Sequence, residues 1–564
     1  MRTLKIPVGV KDFRSLVRSG YLFADKSLLI KEIIDSGSNS ILYTRPRRFG
    51  KTLALSMIDR FFNISYREEE SKDDSFSGLL ISKQDDYPSS YSSERNTYPI
   101  VRLDMSAIPF KGSFEEDMRS YLRSVITFKF GYLKQSVFLS DDIKALIFGE
   151  NDSRTSGEVV SDLCAALSIH HGKDPMILID EYDSPIEGLY RIDASEQFLT
   201  QYGAFLKIAL KVNLHTSRII LSGIQKIVVG GIFSALNDLV HVGVTCNEFN
   251  EYFGLTAVEM KDMIKTCVDH RYESVPQNER EIIVEKHFAL ATEWFDGYHI
   301  GSEDIFNPWS AMNFLRKNVL DDDPVGPYWT DTAENGLLSV VFSSASPTMM
   351  DDLKDAYVSG QDIIADLTVM STPLWKDGSV LTRIDILTML LSTGYLTSRM
   401  DGTHYVLSIP NKEVRMGFDD LMLKVYCVNV PDVIPLLEHI RRRESSKVEN
   451  DLEVLMAGGS YLDGWSEKRY KSWLHDLFAI NGYTSITERE LGDGRVDLLI
   501  EGSGHNPPII FEFKIANEEE VLDDVASTGV DQILTNRYHK GPGMDGCIAL
   551  SVAFRKKSCS VKFV

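Results

Sequence analysis

Two sets of residues have the types and spacing to handle phosphate. The first is Arg45-Pro-Arg47-Arg48-Phe49-Gly50-Lys51-Thr52, which follows the apolar run Ile41-Leu-Tyr-Thr44 and leads into Leu53, Met57, Ile58 and Phe61 at helical spacing. A strand, a loop and a helix start in that order form a phosphate cradle. Loop amides and the positive end of the helix face the anion, Lys51 neutralises it, and the Thr52 hydroxyl is placed to hold Mg²⁺. Arg45 stands where such loops usually carry a glycine, so the loop is basic rather than glycine-rich, and its extra arginines are expected to clamp a nucleotide. Downstream, Met176-Ile-Leu-Ile-Asp180-Glu181 is an apolar run that ends in acids. Asp180 is placed to hold Mg²⁺, directly or through water, and Glu181 to polarise an attacking water. Ser222 closes the run Arg218-Ile-Ile-Leu-Ser222, where a side chain that senses a terminal phosphate would stand.

The second set is Gly494-Arg-Val-Asp497-Leu-Leu-Ile500, a turn-rich connection, and Ile509-Ile-Phe-Glu512-Phe-Lys514. Folding the two runs as an antiparallel hairpin about Gly504 and His505 sets Asp497 opposite Glu512, and Glu512 and Lys514 share a face. Two carboxylates and a lysine on one sheet face can bind Mg²⁺ and position a water against a phosphodiester. A surface ion pair would have the same residues, but the apolar neighbours predict burial, where an acid needs a partner. Glu467, in the preceding helix, is a further candidate metal carboxylate, with a solvated helix face as its alternative. Gln532 serves equally as a site contact or as a surface residue. His475 reads as a satisfied, partly buried histidine, and the aromatic clusters at Trp294–Tyr298 and Trp309 as core.

The elements that position these residues follow from periodicity. Strands at 99–105, 176–183, 218–223 and 240–245 alternate with helices near 115–134, 156–168 and 201–210, which predicts a doubly wound α/β domain with its ligand at the carboxyl ends of the strands. The first forty residues are expected beside the nucleotide base. The stretch 68–96 reads as a solvated excursion. From Asn247 the pattern is helical and ends in a helix at 384–391 and a hairpin about Asp401-Gly402, a winged-helix-like arrangement expected to pack on its neighbours. A charged stretch at 438–447 reads as a linker. The tail returns to α/β, with a helix at 466–480, two strands, a helix at 518–535 and a last strand at 547–554. The expected domains are 1–247, 248–437 and 438–564.

The chain has 564 residues and a formal net charge of −22. That length implies roughly three or four domains. The acidic balance excludes a protein that coats nucleic acid non-specifically and confines any such contact to a local patch. Six cysteines lie scattered without CxxC spacing, as reduced thiols in a cytoplasmic protein do. Neither a membrane-spanning apolar run nor a secretory signal is present, which predicts no membrane contact.

Tyr43-Thr-Arg-Pro-Arg-Arg-Phe-Gly-Lys-Thr52, Ile177-Leu-Ile-Asp-Glu-Tyr-Asp-Ser-Pro185, Ile232-Phe-Ser-Ala-Leu-Asn237, Trp294-Phe-Asp-Gly-Tyr298, Asn307-Pro-Trp-Ser310 and Ile409-Pro-Asn-Lys-Glu413 together resemble the bacterial AAA-ATPase-like family. The tail motif resembles a PD-(D/E)XK nuclease domain, with Val496 in place of the proline before the first acid. The resemblance implies a P-loop NTPase of the additional-strand type followed by a restriction-endonuclease-like domain. It places ATP and Mg²⁺ on the 47–52 loop, with Asp180 and Glu181 in the Walker B role, and makes Asp497, Glu512 and Lys514 the nuclease residues. The expectation is an ATP-binding, nucleotide-regulated nuclease that cuts nucleic acid, DNA ahead of RNA. A nucleotide-binding switch and a non-catalytic nucleic-acid binder are the alternatives, and a homo-oligomer is left open.

Overall fold

A computed structural model describes residues 4–70, 74–83, 89–110, 113–149, 153–189, 196–228, 239–329, 382–402, 404–417, 433–457, 466–480, 483–502, 506–540 and 546–564, with Met544 and short pieces between 349 and 373. The expected turn at 504–505 and the 232–237 motif lie outside these residues. The chain divides into two compact units, Met1–Phe418 and Asp419–Val564.

The first unit is built on five parallel strands, β1 (Ser40–Thr44), β2 (Ile100–Asp104), β3 (Met176–Asp180), β4 (Arg218–Gly223) and β5 (Leu239–Val242), in the order β2-β3-β4-β1-β5. β1 and β3 are buried along their whole length, because a parallel sheet covered on both faces needs apolar side chains on each. One face packs Leu42, Ile177, Ile179 and Leu221 against helical residues such as Leu122 and Leu163. The other packs Ile41, Tyr43, Leu178 and Ile220 against Ile58 and Phe61. β4 lies between β1 and β3, the extra strand that the resemblance implies. Because all neighbours are parallel, Thr44, Asp180 and Gly223 end on one edge, where the helix α1 (Lys51–Phe62) starts.

The stretch 68–96 is not simply solvated: Phe76, Ile81 and Tyr91 are buried, and Phe76 stacks on Phe13 at 5.1 Å. A few apolar side chains scattered among many polar ones leave no period for a sequence reading to detect.

The middle region carries α2 (Arg383–Thr393), with a Thr382 capping box and a C-cap at Gly394, then an antiparallel hairpin of Thr397–Asp401 and His404–Ser408. The family motifs of this region converge. Buried Glu413 accepts hydrogen bonds from Ser310 Oγ and from the main-chain N–H of Tyr328 and Trp329. Gly297 has φ +101°, and a Cβ there would stand 2.1 Å from the Pro410 carbonyl oxygen, so the position needs glycine on both counts.

In the second unit the sheet runs β6 (Ser485–Leu491), β7 (Gly494–Ile500), β8 (Ile509–Ile515), β9 (Ile548–Arg555) and β10 (Ser558–Phe563) in chain order, antiparallel except for β8 beside β9. Helices α3 (Ile434–Arg441), α4 (Ser445–Ala457) and α5 (Glu467–Ile480) share one core with it through Leu436, Leu437, Ile440, Leu452, Leu474 and Phe511. The stretch 438–447 is therefore helical and packed rather than a linker: its charges hide an apolar stripe at 436, 437, 440 and 448. The outer strands β6 and β10 escape the sequence reading, since they mix polar with apolar residues and lack the apolar run of the central strands.

Candidate functional site

At the carboxyl edge of the first sheet, Gly50 caps α1 in the left-handed region at φ +82°. Nothing crowds a Cβ there, so the backbone turn rather than space selects glycine. A cavity of about 480 Å³ opens over this turn, lined by Arg47, Arg48, Phe49, Gly50, Lys51, Thr52 and Glu181. Val8, Gly9, Phe23, Tyr252 and Trp309 are among the other residues of its wall, so the first forty residues border the cavity. Lys51 is buried, and its ammonium donates to the carbonyls of Arg45 and Pro46 at 2.8 and 2.9 Å.

Asp180 is buried at the end of β3 and accepts hydrogen bonds from Ser222 Oγ at 2.5 Å and from the Glu181 amide at 3.1 Å. Glu181 follows at φ +48°, an uncommon conformation for a side-chain-bearing residue, and reaches the cavity wall. The hydroxyl of Ser222 is thus spent on Asp180, and Ser222 is only 1% exposed. Asp183, which sequence reasoning passed over, fixes the end of β4 by accepting from the amides of Ile224 and Gln225 at 2.7 and 3.0 Å. His241 bonds Thr44 Oγ1 at 2.8 Å, and burial brings its imidazole down to about 4.

Arg45 corrects the expectation that every loop arginine clamps nucleotide. It is 0% exposed, and its Nη1 donates to the carbonyls of Thr44 and Val242, each at 2.9 Å. Nη2 donates to Phe249 O at 3.3 Å, and the guanidinium lies over the Phe253 ring. Burial lowers it to about 10, still charged at neutral pH. Arg45 is a buried tie between the loop and the chain after β5. Arg48 instead lies 4.2 Å from the Trp309 ring centroid, and Phe49 meets Tyr298 edge-on at 5.1 Å. Pro46 packs on Gly394, where a Cβ would stand 2.9 Å from it. The middle-region motifs therefore hold the loop.

In the second unit, β7 and β8 pair Leu498 with Phe511 and Ile500 with Ile509. That is the register of the expected hairpin, and its continuation sets Asp497 opposite Glu512. Asp497 Oδ2 accepts from the Phe513 amide at 2.8 Å, and Lys514 Nζ bonds Glu512 Oε1 at 2.8 Å. Glu512 is 1% exposed, and its Oε2 has no partner. Burial, and next the neighbouring Asp497 carboxylate, push Glu512 up to about 7 against the pull of Lys514. Glu467, half-buried at the start of α5, is raised by burial and feels Lys514, Asp497 and Lys471.

Lys471 was not anticipated. It lies one helical turn after Glu467, is buried, and its ammonium stands 3.1 Å from Asp497 Oδ1 while also bonding Glu488. Burial alone would lower this lysine, but the bonds to Glu488 and Asp497 outweigh it and hold the group above the usual range. Gln532 bonds the Tyr538 hydroxyl at 3.4 Å, and His475 Nδ1 pairs with Ser485 Oγ at 2.8 Å.

The donor set of Asp497, Glu512 and Glu467 is all carboxylate oxygen and suits a hard divalent cation, and the unpartnered Glu512 Oε2 is an oxygen such an ion would satisfy. Among the described residues no three His, Cys, Asp or Glu side chains already stand in metal-holding geometry. Lys514 bonds Glu512 and Lys471 bonds Asp497, two ammonium groups against the three carboxylates.

Residues 7–233 match the family model of a predicted AAA-ATPase, and residues 465–563 that of the PD-(D/E)XK nuclease superfamily. An uncharacterized protein in the vnfD 5′ region of Azotobacter chroococcum mcd 1 is 23% identical over 540 residues, covering 91% of this chain and 90% of that protein. The Walker-type ATPase PABY2304 of Pyrococcus abyssi covers 74% of this chain and 98% of its own, at 14% identity and a TM-score of 0.38. No helix among the described residues is long and apolar enough to cross a membrane. The chain carries a predicted AAA-ATPase domain and, at its C-terminal end, a domain of the PD-(D/E)XK nuclease superfamily.

Proposed function

We propose that the chain is a nucleotide-regulated nuclease, in which ATP at the 47–52 loop controls phosphodiester hydrolysis by the C-terminal unit. The observation that carries the nuclease reading is the buried Glu512 with an unpartnered oxygen, bonded to Lys514 and facing Asp497. Asp497 and Glu512 are the residues to hold Mg²⁺, with Glu467 as a further carboxylate. The bound ion would supply a polarised phosphate and an activated water. Lys514, on the same face as Glu512, orients that water or stabilises the negative charge that develops on the phosphate. DNA is proposed as the polymer ahead of RNA.

At the loop, the amides of residues 47–52 and Lys51 hold the phosphates, Thr52 and Asp180 are the residues to hold Mg²⁺, and Glu181 polarises water. A cavity of about 480 Å³ between the loop, the N-terminal segment and Trp309 supports this assignment. The Arg48–Trp309 and Phe49–Tyr298 contacts support regulation, since a change at the loop must be felt in the middle region. Asp497→Ala and Lys514→Ala are each expected to lower Mg²⁺-dependent cleavage by about 10²-fold or more while ATP binding is kept. Undiminished cleavage in both variants would overturn the site. ATP binding by a wild-type chain that cuts neither DNA nor RNA would point to a nucleotide switch.

A further inference from the structure

We propose that Lys471 is a resident counter-cation of the nuclease centre, which holds Asp497 until a divalent ion takes over its oxygen, and that Glu488 receives the ammonium when it leaves. The inference rests on reading Asp497 and Glu512 as metal ligands. Of the two Asp497 oxygens, Oδ2 is held by a fixed main-chain donor, the Phe513 amide, so Oδ1, held by a side chain, is the oxygen that can be given over to an ion. Oδ1 is the atom that Lys471 engages, at 3.1 Å. An ammonium and a divalent ion on one oxygen repel strongly in a site this buried, so binding of the ion requires the lysine to withdraw.

Glu488 gives it somewhere to go. In the β6–β7 ladder Thr487 pairs with Leu498 and Arg489 with Val496, so Glu488 falls opposite Asp497. The ladder breaks at that residue, where Glu488 adopts φ +57° in the middle of a strand. This is a strained conformation for a non-glycine residue, and such strain collects at functional sites. The Glu488 side chain is 53% exposed, so the fold does not require it as core. It already bonds Lys471, and with the ion in place it can take the whole of that charge.

The test uses the full chain without nucleotide, titrated with Mn²⁺ and read by electron paramagnetic resonance of the free ion. Glu512→Gln identifies the part of the binding that belongs to this centre. Lys471→Met is expected to tighten that part by about ten- to hundredfold, the range over which supporting residues tune metal sites, and Glu488→Gln to weaken it about tenfold. Lys471→Met is also expected to unfold at a lower temperature in chelator and to regain the wild-type value at saturating Mn²⁺, because the ion replaces the ammonium. Mn²⁺ binding that stays as weak as wild type, or a thermal loss that Mn²⁺ does not restore, would show Lys471 to be a structural support only and overturn the inference. Mn²⁺ binding that survives Glu512→Gln unchanged would overturn the metal-centre reading itself.

Discussion

The two units each bury a charge next to a candidate site, and they hold it in opposite ways. Arg45 lies among main-chain carbonyls and against the Phe253 ring. Glu512 shares one oxygen with Lys514 and leaves the other without a partner. Arg45 is 0% exposed and stands outside the cavity wall, so its charge serves the scaffold even with Nε unpartnered, whereas Lys51 lies on that wall and Glu512 offers an unpartnered oxygen to a ligand. The contrast divides the basic loop, with Arg45 building it and Arg47 and Arg48 facing the cavity.

The sharpest way to break this contrast is to remove the two kinds of arginine. Arg45→Met strands buried carbonyls and is expected to cost about 3–5 kcal/mol, measured by denaturant unfolding, while the folded fraction binds nucleotide nearly as wild type. Arg47→Ala is expected to do the reverse, with little change in stability and a roughly tenfold weaker ATP complex. If Arg45→Met folded normally and lost nucleotide instead, Arg45 would belong to the site.

The Glu512 side of the contrast has a pH signature in the absence of divalent ions. Its folded-state value of about 7 lies above the ordinary 4.5, so the folded state prefers the protonated acid. No penalty exists below about pH 4.5; it grows as the unfolded carboxylate ionises and levels off once pH passes about 7. The C-terminal unit is therefore expected to lose about 3 kcal/mol between pH 4.5 and 7.5 in chelator, and Glu512→Gln to flatten that slope. An unchanged slope in the variant would place the titration elsewhere.

What the sequence made legible follows the reach of each interaction. The loop, the acid-ended strand and the Asp497–Glu512 register are local patterns, set by periods of 2 and 3.6 residues and by one hairpin. The destination of Arg45 is not local: Val242 and Phe249 lie 197 and 204 residues further along. Lys471 meets Asp497 across 26 residues and from a different element, and a lone lysine in an amphipathic helix gives no sign of it. Glu488 was invisible for another reason, since a left-handed residue inside a strand that keeps its register leaves no mark on the alternation by which a strand is read.

Arg48 offers the finest cut, because it belongs to both sides of the contrast. It lines the cavity, yet its guanidinium lies 4.2 Å from the Trp309 ring centroid and its backbone sits at φ +69°. Arg48→Ala keeps the unfavourable backbone and loses the ring contact, so it is expected to cost about 1 kcal/mol in unfolding free energy. Arg48→Gly loses the same contact but relieves a left-handed residue by about 1 kcal/mol, and is expected to unfold close to wild type. If Arg48 also touches phosphate, both variants weaken ATP equally, whatever their difference in stability. Should ATP affinity survive in both, Arg48 would join Arg45 as scaffold, and Arg47 and Lys51 would be left as the cationic side chains of the loop that meet the nucleotide.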